Sequence, residues 1–238
     1  MNDPVDQRAL HDLAGRLARV RERISDAGGD PDRLAVLAVT KGVAADRVLA
    51  ALTLGLTDVG ESYVQELTDK AQEIDAWLDE RSSPPVDPAR WHFIGRLQRN
   101  KVRAAAPYVA LWQSVDRLSL AAEIARRAPG AAVLVQVNVS GQAQQGGCPP
   151  ERVAAVVEGC RDLGLEVRGL MAIGAQGPPD AVRASFRTVR ALADGLSLPE
   201  RSMGMSGDLE AAVAEGSTMV RVGSDLFGPR RVGPAVGK

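Results

Sequence analysis

The chain has 238 residues, and its 29 basic and 30 acidic side chains leave a formal net charge of -1. Because charges of both signs are interspersed, the sequence indicates no basic surface for nucleic acid. The apolar runs are only as long as strands, so the sequence predicts no membrane span, and the amino terminus has no signal pattern. Cys148 and Cys160 are too few for a disulfide framework. We therefore expect a reduced, cytoplasmic protein.

An amphipathic helix comes first in the predicted order of elements. Apolar residues recur at helical spacing from Val5 to Ala27, and Gly28 and Gly29 follow. Beyond them, short apolar runs alternate with helical segments. The predicted strands are Leu34–Thr40, Asp58–Gly60, Trp91–Ile94, Leu111–Ser114, Ala132–Val137, Glu166–Met171, Arg201–Met203 and Met219–Val222. The predicted helices between them are Ala44–Leu54, Tyr63–Leu78, Lys101–Ala105, Leu118–Arg127, Pro150–Leu163, Ala181–Ala193 and Asp208–Glu215.

Eight strands joined by helical crossovers predict an α/β fold, a closed (β/α)₈ TIM-type barrel with an extra helix at its amino end. An open, doubly wound sheet fits this count less well. No linker or repeat divides the chain, so residues 1–238 are predicted to form a single domain, and the polar stretch Arg81–Arg90 is predicted to be a surface loop.

Lys41 follows the first predicted strand and is one of four lysines in the chain. At the end of a buried strand, partial desolvation of a lysine favours its neutral, nucleophilic amine, which can form a Schiff base with an aldehyde. The alternative is a lysine that ends a strand and reaches water. Since the eighth strand of a closed barrel neighbours the first, we expect Arg221 to lie beside Lys41.

Small residues with hydroxyl groups follow the seventh and eighth predicted strands, the usual phosphate-binding region of such barrels. Ser206, Gly207 and Asp208 are expected to open a helix whose free N–H groups favour an anion, and Gly223 and Ser224 offer a second such site. The alternative is that Ser206 caps a helix and Gly223 makes a turn.

An amine, a phosphate site and an arginine together match the needs of pyridoxal 5′-phosphate. Its aldehyde would condense with Lys41, its phosphate would bind Ser206, Gly223 and Ser224, and Arg221 would face its pyridine nitrogen. Because a guanidinium stays cationic, it would disfavour protonation of that nitrogen and restrain carbanion chemistry.

Six ordered segments, within about residues 34–230, resemble the pyridoxal phosphate homeostasis protein family. These segments are Val39–Lys41, Gly60–Glu66, Trp91–Lys101, Gly169–Met171, Ser202–Ser206 and Val220–Ser224.

The resemblance implies a barrel like the N-terminal domain of alanine racemase, with the cofactor on Lys41. It adds Ser62 and Met203 to the expected cofactor-binding residues. It also implies a role in storing or delivering pyridoxal phosphate, with apo-enzymes as possible recipients and without catalytic turnover. Eight residues follow Arg230, so we expect no second domain to supply an opposing tyrosine base, and we expect a monomer.

The chain departs from the family pattern at two places. Ser62 stands where the family usually has an asparagine that is expected to contact the cofactor ring, so this contact is expected to be shorter or water-mediated. In the loop after the fifth strand, Gln142 and Gln145 replace an expected acid and lysine. Any role that the family's lysine has in binding or transferring the cofactor is therefore not assigned to Gln145.

Other chemistry has less support. His11 and His92 are the two histidines, and with two cysteines at the wrong spacing they predict no metal site. His92 is interpreted as a hydrogen-bonded core or rim residue, and Cys148 as a residue of a polar loop without a neighbour that would lower its pKa. Two functional alternatives remain open: a racemase or lyase that uses Lys41 and a borrowed base, and a barrel that binds another phosphorylated metabolite without a covalent bond.

Overall fold

A computed structural model describes residues 6–80, 86–142 and 145–229. Its eight parallel strands pair in sequence order, and β8 pairs with β1, so the predicted closed barrel is confirmed. The strands are β1 Ala35–Val39, β2 Asp58–Glu61, β3 Arg90–Phe93, β4 Val109–Val115, β5 Ala132–Val137, β6 Glu166–Ala172, β7 Glu200–Met205 and β8 Met219–Val222.

Helices cover the outside of the barrel. They are α1 Gln7–Asp26, α2 Ala45–Thr53, α3 Val64–Asp79, α4 Val102–Ala105, α5 Leu118–Arg127, α6 Val153–Asp162, α7 Pro179–Gly195, α8 Leu209–Ala214 and α9 Ser224–Phe227. Short 3₁₀ turns at Arg99–Lys101 and Pro150–Arg152 precede α4 and α6. The one helix that the sequence did not predict is α9, which is too short for a periodic pattern. Val5 and residues 81–85 of the predicted loop lie outside the described residues.

Alternation along the strands creates two apolar clusters. The larger one lies between the strands and the helices and contains Phe93, Trp112 and Phe186. The smaller one fills the barrel interior and contains Leu37, Leu111, Ala132, Leu134, Met171 and Met219. The interior is therefore packed, and a site must lie at its carboxyl end.

The extra helix α1 packs against α2, α8 and α9. Its buried face consists of Leu13, Leu17, Val20 and Ile24, at the helical spacing that the sequence indicated. This packing brings the last turn of α1 close to the loops after β7 and β8. Within the described ranges, no helix is long and apolar enough to cross a membrane.

Candidate functional site

Lys41 lies two residues beyond the end of β1, at the carboxyl rim of the barrel, and is half-buried. Its Nζ atom lies 5.2 Å from the centroid of the Tyr63 ring, and Tyr63 is 54% exposed. The amine is thus held near an aromatic face. Such a position leaves it accessible to a ligand at the mouth of the barrel.

A buried ion pair lies beneath the loop that carries Lys41. Glu61 ends β2 and is fully buried, and its Oε1 atom lies 2.5 Å from Nζ of Lys70. Burial raises the pKa of Glu61, although the hydrogen bond from Lys70 acts in the opposite direction. Lys70 is a residue of α3 that the sequence analysis did not assign to the site, because its spacing from Glu61 carries no recognisable signal.

This ion pair holds one neighbour of Lys41, and Glu66 holds the other. The hydroxyl of Thr40 donates to Glu61 at 2.8 Å, and Lys70 donates to the main-chain oxygen of Thr40 at 2.6 Å. On the other side, the main-chain N–H of Gly42 donates to Glu66 at 2.7 Å. The backbone on either side of Lys41 is therefore fixed by hydrogen bonds.

Ser62 follows β2 and packs against the loop after β3. A Cβ atom added at Gly95 would lie 2.0 Å from the main-chain oxygen of Ser62, so only glycine fits there. This close approach sets the position of Ser62 and of the neighbouring Tyr63 at the rim. Ser62 itself is half-buried.

The hydroxyl oxygens of Ser206 and Ser224 lie 3.3 Å apart. Ser206 belongs to the loop after β7, as the sequence predicted, whereas Ser224 is the first residue of α9, directly after the loop residue Gly223. Ser206, Gly207 and Asp208 lead into α8 as expected, with Asp208 as its N-cap residue, but the Asp208 side chain makes no cap hydrogen bond. The carboxylate of Asp208 instead accepts the main-chain N–H of Met205 at 2.6 Å, which forms a tight turn before the helix.

Arg23 of α1 holds both serine loops, and the sequence analysis missed it. Its Nη2 donates to the main-chain oxygen of Ser206 at 2.9 Å, and its Nη1 donates to Asp225 at 2.5 Å. Its Nε donates to Glu210 of α8 at 2.6 Å, and this hydrogen bond raises the pKa of Arg23. The contacts span more than 180 residues of chain, so no local pattern could reveal them.

Arg221 points into the barrel and is buried. Its Nη1 donates to the main-chain oxygen and the hydroxyl of Ser202 at 2.7 and 3.0 Å, and its Nη2 donates to the main-chain oxygen of Ala172 at 2.7 Å. Burial lowers the pKa of Arg221 to about 10, so the guanidinium is still charged at neutral pH. The expectation that Arg221 lies beside Lys41 was wrong. The β1–β8 register pairs Arg221 with Leu37, which places it deeper in the barrel.

The remaining expected residues lie as follows. A Cβ atom added at Gly223 would lie 3.5 Å from the main-chain oxygen of Val39, so the loop after β8 adjoins the end of β1. The side chain of Met203 is fully buried in the outer cluster, against the helices. The structure therefore brings Lys41, Ser62, Ser206, Gly223 and Ser224 to one rim, with Arg221 beneath it, but leaves Met203 behind the sheet.

The loop after β5 closes on the barrel through side-chain amides. Gln136 donates to the main-chain oxygen of Gln145 and Asn138 to that of Gln142, each at 2.9 Å. Residues 143 and 144 of this loop lie outside the described residues. Cys148, which we expected on a polar loop, is buried, and burial raises its pKa to about 11. Across the described ranges, no group of three or more His, Cys, Asp or Glu side chains could hold a metal ion.

Comparison with known proteins agrees with this architecture. Residues 10–231 match the family model of the alanine racemase N-terminal domain. The pyridoxal phosphate homeostasis protein of Pseudomonas aeruginosa is 42% identical over 232 residues, which cover 93% of this chain and 95% of that protein. Its counterpart in Escherichia coli is 36% identical over 241 residues, with 93% and 98% covered.

Solved structures give the same result. PipY of Synechococcus elongatus with pyridoxal phosphate bound has a TM-score of 0.74 and 31% identity, over 88% of this chain and all of that one. Alanine racemase of Corynebacterium glutamicum shares the fold, with a TM-score of 0.68 and 17% identity, over 96% of this chain and 63% of that chain. The chain belongs to the pyridoxal phosphate homeostasis protein family.

Proposed function

We propose that this protein binds pyridoxal phosphate through a Schiff base with Lys41, and that it stores or delivers the cofactor in the cytoplasm without catalytic turnover. The observation that carries the proposal is the convergence of the Ser206 and Ser224 hydroxyls, 3.3 Å apart, beside the β8–β1 contact that leads to Lys41. The names of the relatives and the cofactor in PipY support the same cofactor here.

The side chains present fit this cofactor. Two hydroxyls that lie within hydrogen-bond distance of each other can both rotate to donate to one oxyanion placed beside them. Arg23 fixes this pair from behind, through the main-chain oxygen of Ser206 and the carboxylate of Asp225. The donor set at this side of the rim therefore suits a phosphate monoester.

The bound cofactor would supply an aldehyde carbon, to which the Lys41 nitrogen bonds while the carbonyl oxygen leaves as water, and a pyridine ring that withdraws electrons. Lys41 is oriented for this role by the hydrogen bonds on Thr40 and Gly42. Arg221 remains a cation at neutral pH, and a cation beside the ring nitrogen disfavours its protonation. That effect favours storage of the cofactor over carbanion chemistry.

The test compares wild-type protein with Lys41→Ala, each incubated with pyridoxal phosphate and reduced with borohydride, and maps the adduct by mass spectrometry. Lys101→Ala is the matched control, because Lys101 is exposed and lies outside the site. We expect one adduct on Lys41 in wild-type protein and in Lys101→Ala, and none in Lys41→Ala. An unchanged yield of adduct in Lys41→Ala would overturn the site, and no adduct in any protein would favour a non-covalent metabolite site.

A racemase or lyase is the second candidate, favoured by the likeness of the fold to alanine racemase and by the Tyr63 phenol beside Lys41. Loaded protein incubated with L- and D-amino acids in deuterated water separates the two functions. Sustained α-proton exchange would support the enzyme, whereas its absence would support the carrier.

Apo-enzymes that need pyridoxal phosphate are the proposed recipients, and a monomer is the proposed state of the carrier. Transfer is tested by mixing loaded protein with a pyridoxal phosphate-free apo-enzyme and an excess of a scavenger for free cofactor. Activation despite the scavenger would support direct delivery, and its absence would contradict it. Sedimentation of wild-type protein measures its molecular mass and so tests whether it is a monomer.

A further inference from the structure

A line of polar side chains crosses the otherwise apolar interior of the barrel. It starts at the amino end of β2 and reaches Arg221 on β8, below the carboxyl rim. Its members are Asp58, His92, Gln113, Ser202 and Arg221, and all except Asp58 are at least nine-tenths buried. A buried polar group is costly unless its hydrogen bonds are made, so such a line needs an explanation.

The contacts between these side chains are continuous. Nη1 of Arg221 donates to the Ser202 hydroxyl at 3.0 Å, and this hydroxyl donates to Oε1 of Gln113 at 2.7 Å. Nε2 of Gln113 lies 2.8 Å from Nδ1 of His92. Nε2 of His92 then lies 3.1 Å from Oδ1 of Asp58.

If His92 carries a single ring proton, the two ends of the line fix the direction of every hydrogen bond. A guanidinium can only donate, so the Ser202 hydroxyl accepts from Arg221 and gives its own proton to Gln113. The amide group of Gln113 must then present its N–H to His92, and Nδ1 of His92 accepts it. The remaining nitrogen of His92 therefore carries the proton and donates it to Asp58. In the described part of the chain, Oδ1 of Asp58 is buried without a well-aligned hydrogen bond, and the Nε2 proton of His92, 3.1 Å away, is the donor that it needs.

Reversal of the Gln113 amide would require a second proton on His92. Its oxygen would then face Nδ1 of His92, which would have to carry the proton. Nε2 of a neutral His92 would be left as an acceptor against the carboxylate of Asp58, and two acceptors repel. With one proton on the imidazole, the direction of the whole line follows from a cation at one end and an anion at the other.

Two carboxylates, those of Asp58 and Glu200, lie near His92. Asp58 is also paired with Arg90, whose Nη2 lies 2.6 Å from Oδ2 of Asp58. Burial acts to raise the pKa of Asp58, but the hydrogen bonds from His92 and Arg90 outweigh it and lower that pKa. Glu200, at the start of β7, is close enough to interact electrostatically with His92.

Arg221 depends on this line more than a surface arginine would. In the described ranges, no carboxylate lies within ion-pair distance of its guanidinium, and its three hydrogen bonds all go to neutral oxygens of Ser202 and Ala172. Two of its five N–H groups are left for a ligand at the rim. They are the Nε–H and one N–H of Nη2, and the Ser202 oxygen, which is hydrogen-bonded to Gln113, helps to hold the guanidinium in this orientation.

We propose that His92 and Gln113 are positioning residues that act through Ser202 to aim the free N–H groups of Arg221 at the ring of the bound cofactor. The last step rests on the proposed function, whereas the direction of the hydrogen bonds does not. Residues near the amino end of the barrel would then influence the bound cofactor through the hydrogen bonds that cross the barrel interior.

The first experiment needs no cofactor. Protein labelled with ¹⁵N-histidine gives signals from two histidines only, and His11 is exposed and serves as the internal reference. We expect Nε2 of His92 to carry the ring proton and Nδ1 to carry none, while His11 shows the mixed tautomers of a solvated ring. A proton on Nδ1 of His92 would overturn the proposed direction.

The second experiment compares loaded wild-type protein with Ser202→Ala, which removes the hydroxyl link, and with Gln113→Leu, which removes the amide contacts with Ser202, His92 and the Met219 sulfur. Trp112→Phe is the matched control, because it changes buried packing on the outer side of the same strand. Ser202→Thr, which keeps the hydroxyl, is the conservative variant. The readouts are the absorption maximum of the bound cofactor, its pH dependence and the dissociation constant.

We expect Ser202→Ala and Gln113→Leu to weaken binding by roughly tenfold, the value of one hydrogen bond to a charged group. We also expect them to shift the absorption maximum and the pH at which it changes, with Ser202→Thr and Trp112→Phe close to wild type. An intact adduct on Lys41 with an unchanged spectrum in both Ser202→Ala and Gln113→Leu would overturn the positioning role. A missing adduct in wild-type protein would instead reject the proposed function and leave the histidine result intact.

Discussion

Lys70 and Glu61 form an ion pair of 2.5 Å beneath the rim loop, and Glu61 is completely buried. A buried carboxylate that loses its partner keeps its desolvation penalty, so the pair is more important for stability than an exposed one. Because Lys70 also donates to the main-chain oxygen of Thr40, the pair links the stability of the barrel to the position of Lys41.

Lys70→Met is expected to lower the free energy of unfolding at neutral pH by about 3 kcal/mol, the cost of leaving a buried charge unpaired. Denaturant titration measures it, with Lys101→Met as the exposed control. Burial already raises the pKa of Glu61, and loss of Lys70 would raise it further. A carboxyl with a raised folded-state pKa gains stability as the pH falls, so the difference from wild type should shrink in acid. A difference that grows in acid would contradict this account.

Arg23→Met should loosen both serine loops, since Arg23 bonds Ser206, Asp225 and Glu210. We expect affinity for pyridoxal phosphate to fall about tenfold, because a charge-assisted hydrogen bond contributes about that much. Fluorescence titration measures the dissociation constant. Arg19→Met is the control, as Arg19 is exposed on the same helix. Equal affinities in both variants would show that α1 does not support the phosphate site.

Gly95→Ala and Gly15→Ala should change stability in opposite directions. The added Cβ at position 95 would meet the main-chain oxygen of Ser62 at 2.0 Å, and such overpacking costs about 1 to 3 kcal/mol. At Gly15, within α1, an added Cβ meets nothing within 4 Å, and alanine in a helix gains about 0.5 to 1 kcal/mol. Thermal unfolding of the two variants distinguishes them, and a stabilised Gly95→Ala would refute the close approach.

Neither cysteine should react with iodoacetamide in the folded protein at neutral pH. Both thiols are buried, and burial raises the pKa of each to about 11, so the reactive thiolate is scarce. Mass spectrometry over time measures the modification. The same protein in denaturant should be alkylated at both positions. Rapid labelling of Cys148 without unfolding would indicate an accessible loop, as the sequence had suggested.

The order of strands and helices could be predicted because hydrophobic periodicity is a local property of the sequence. Ala132–Val137 and Met219–Val222 were predicted with the bounds that the structure has. Barrel closure also followed from the strand count, which correctly made β8 the neighbour of β1. The interpretation of His92 as a hydrogen-bonded buried residue was confirmed as well.

Register and long-range polar contacts could not be predicted in this way. The depth of Arg221 in the barrel depends on the register of β8 against β1. No pattern within either strand specifies that register. The contact of Arg23 with the serine loops and that of Gln113 with Ser202 depend on tertiary packing. Residues such as Lys70 look like ordinary helix-surface charges until the barrel is closed.

The β1–β8 pairing has a consequence for how the protein is made. Lys41 lies in the first loop of the barrel, whereas Ser224 lies after its last strand, so nearly the whole barrel must be synthesised between them. Contacts of such sequence separation form late in folding. An unfinished chain on the ribosome therefore presents an amine without its paired hydroxyls, so under the proposed function a nascent chain would not yet hold a phosphorylated aldehyde.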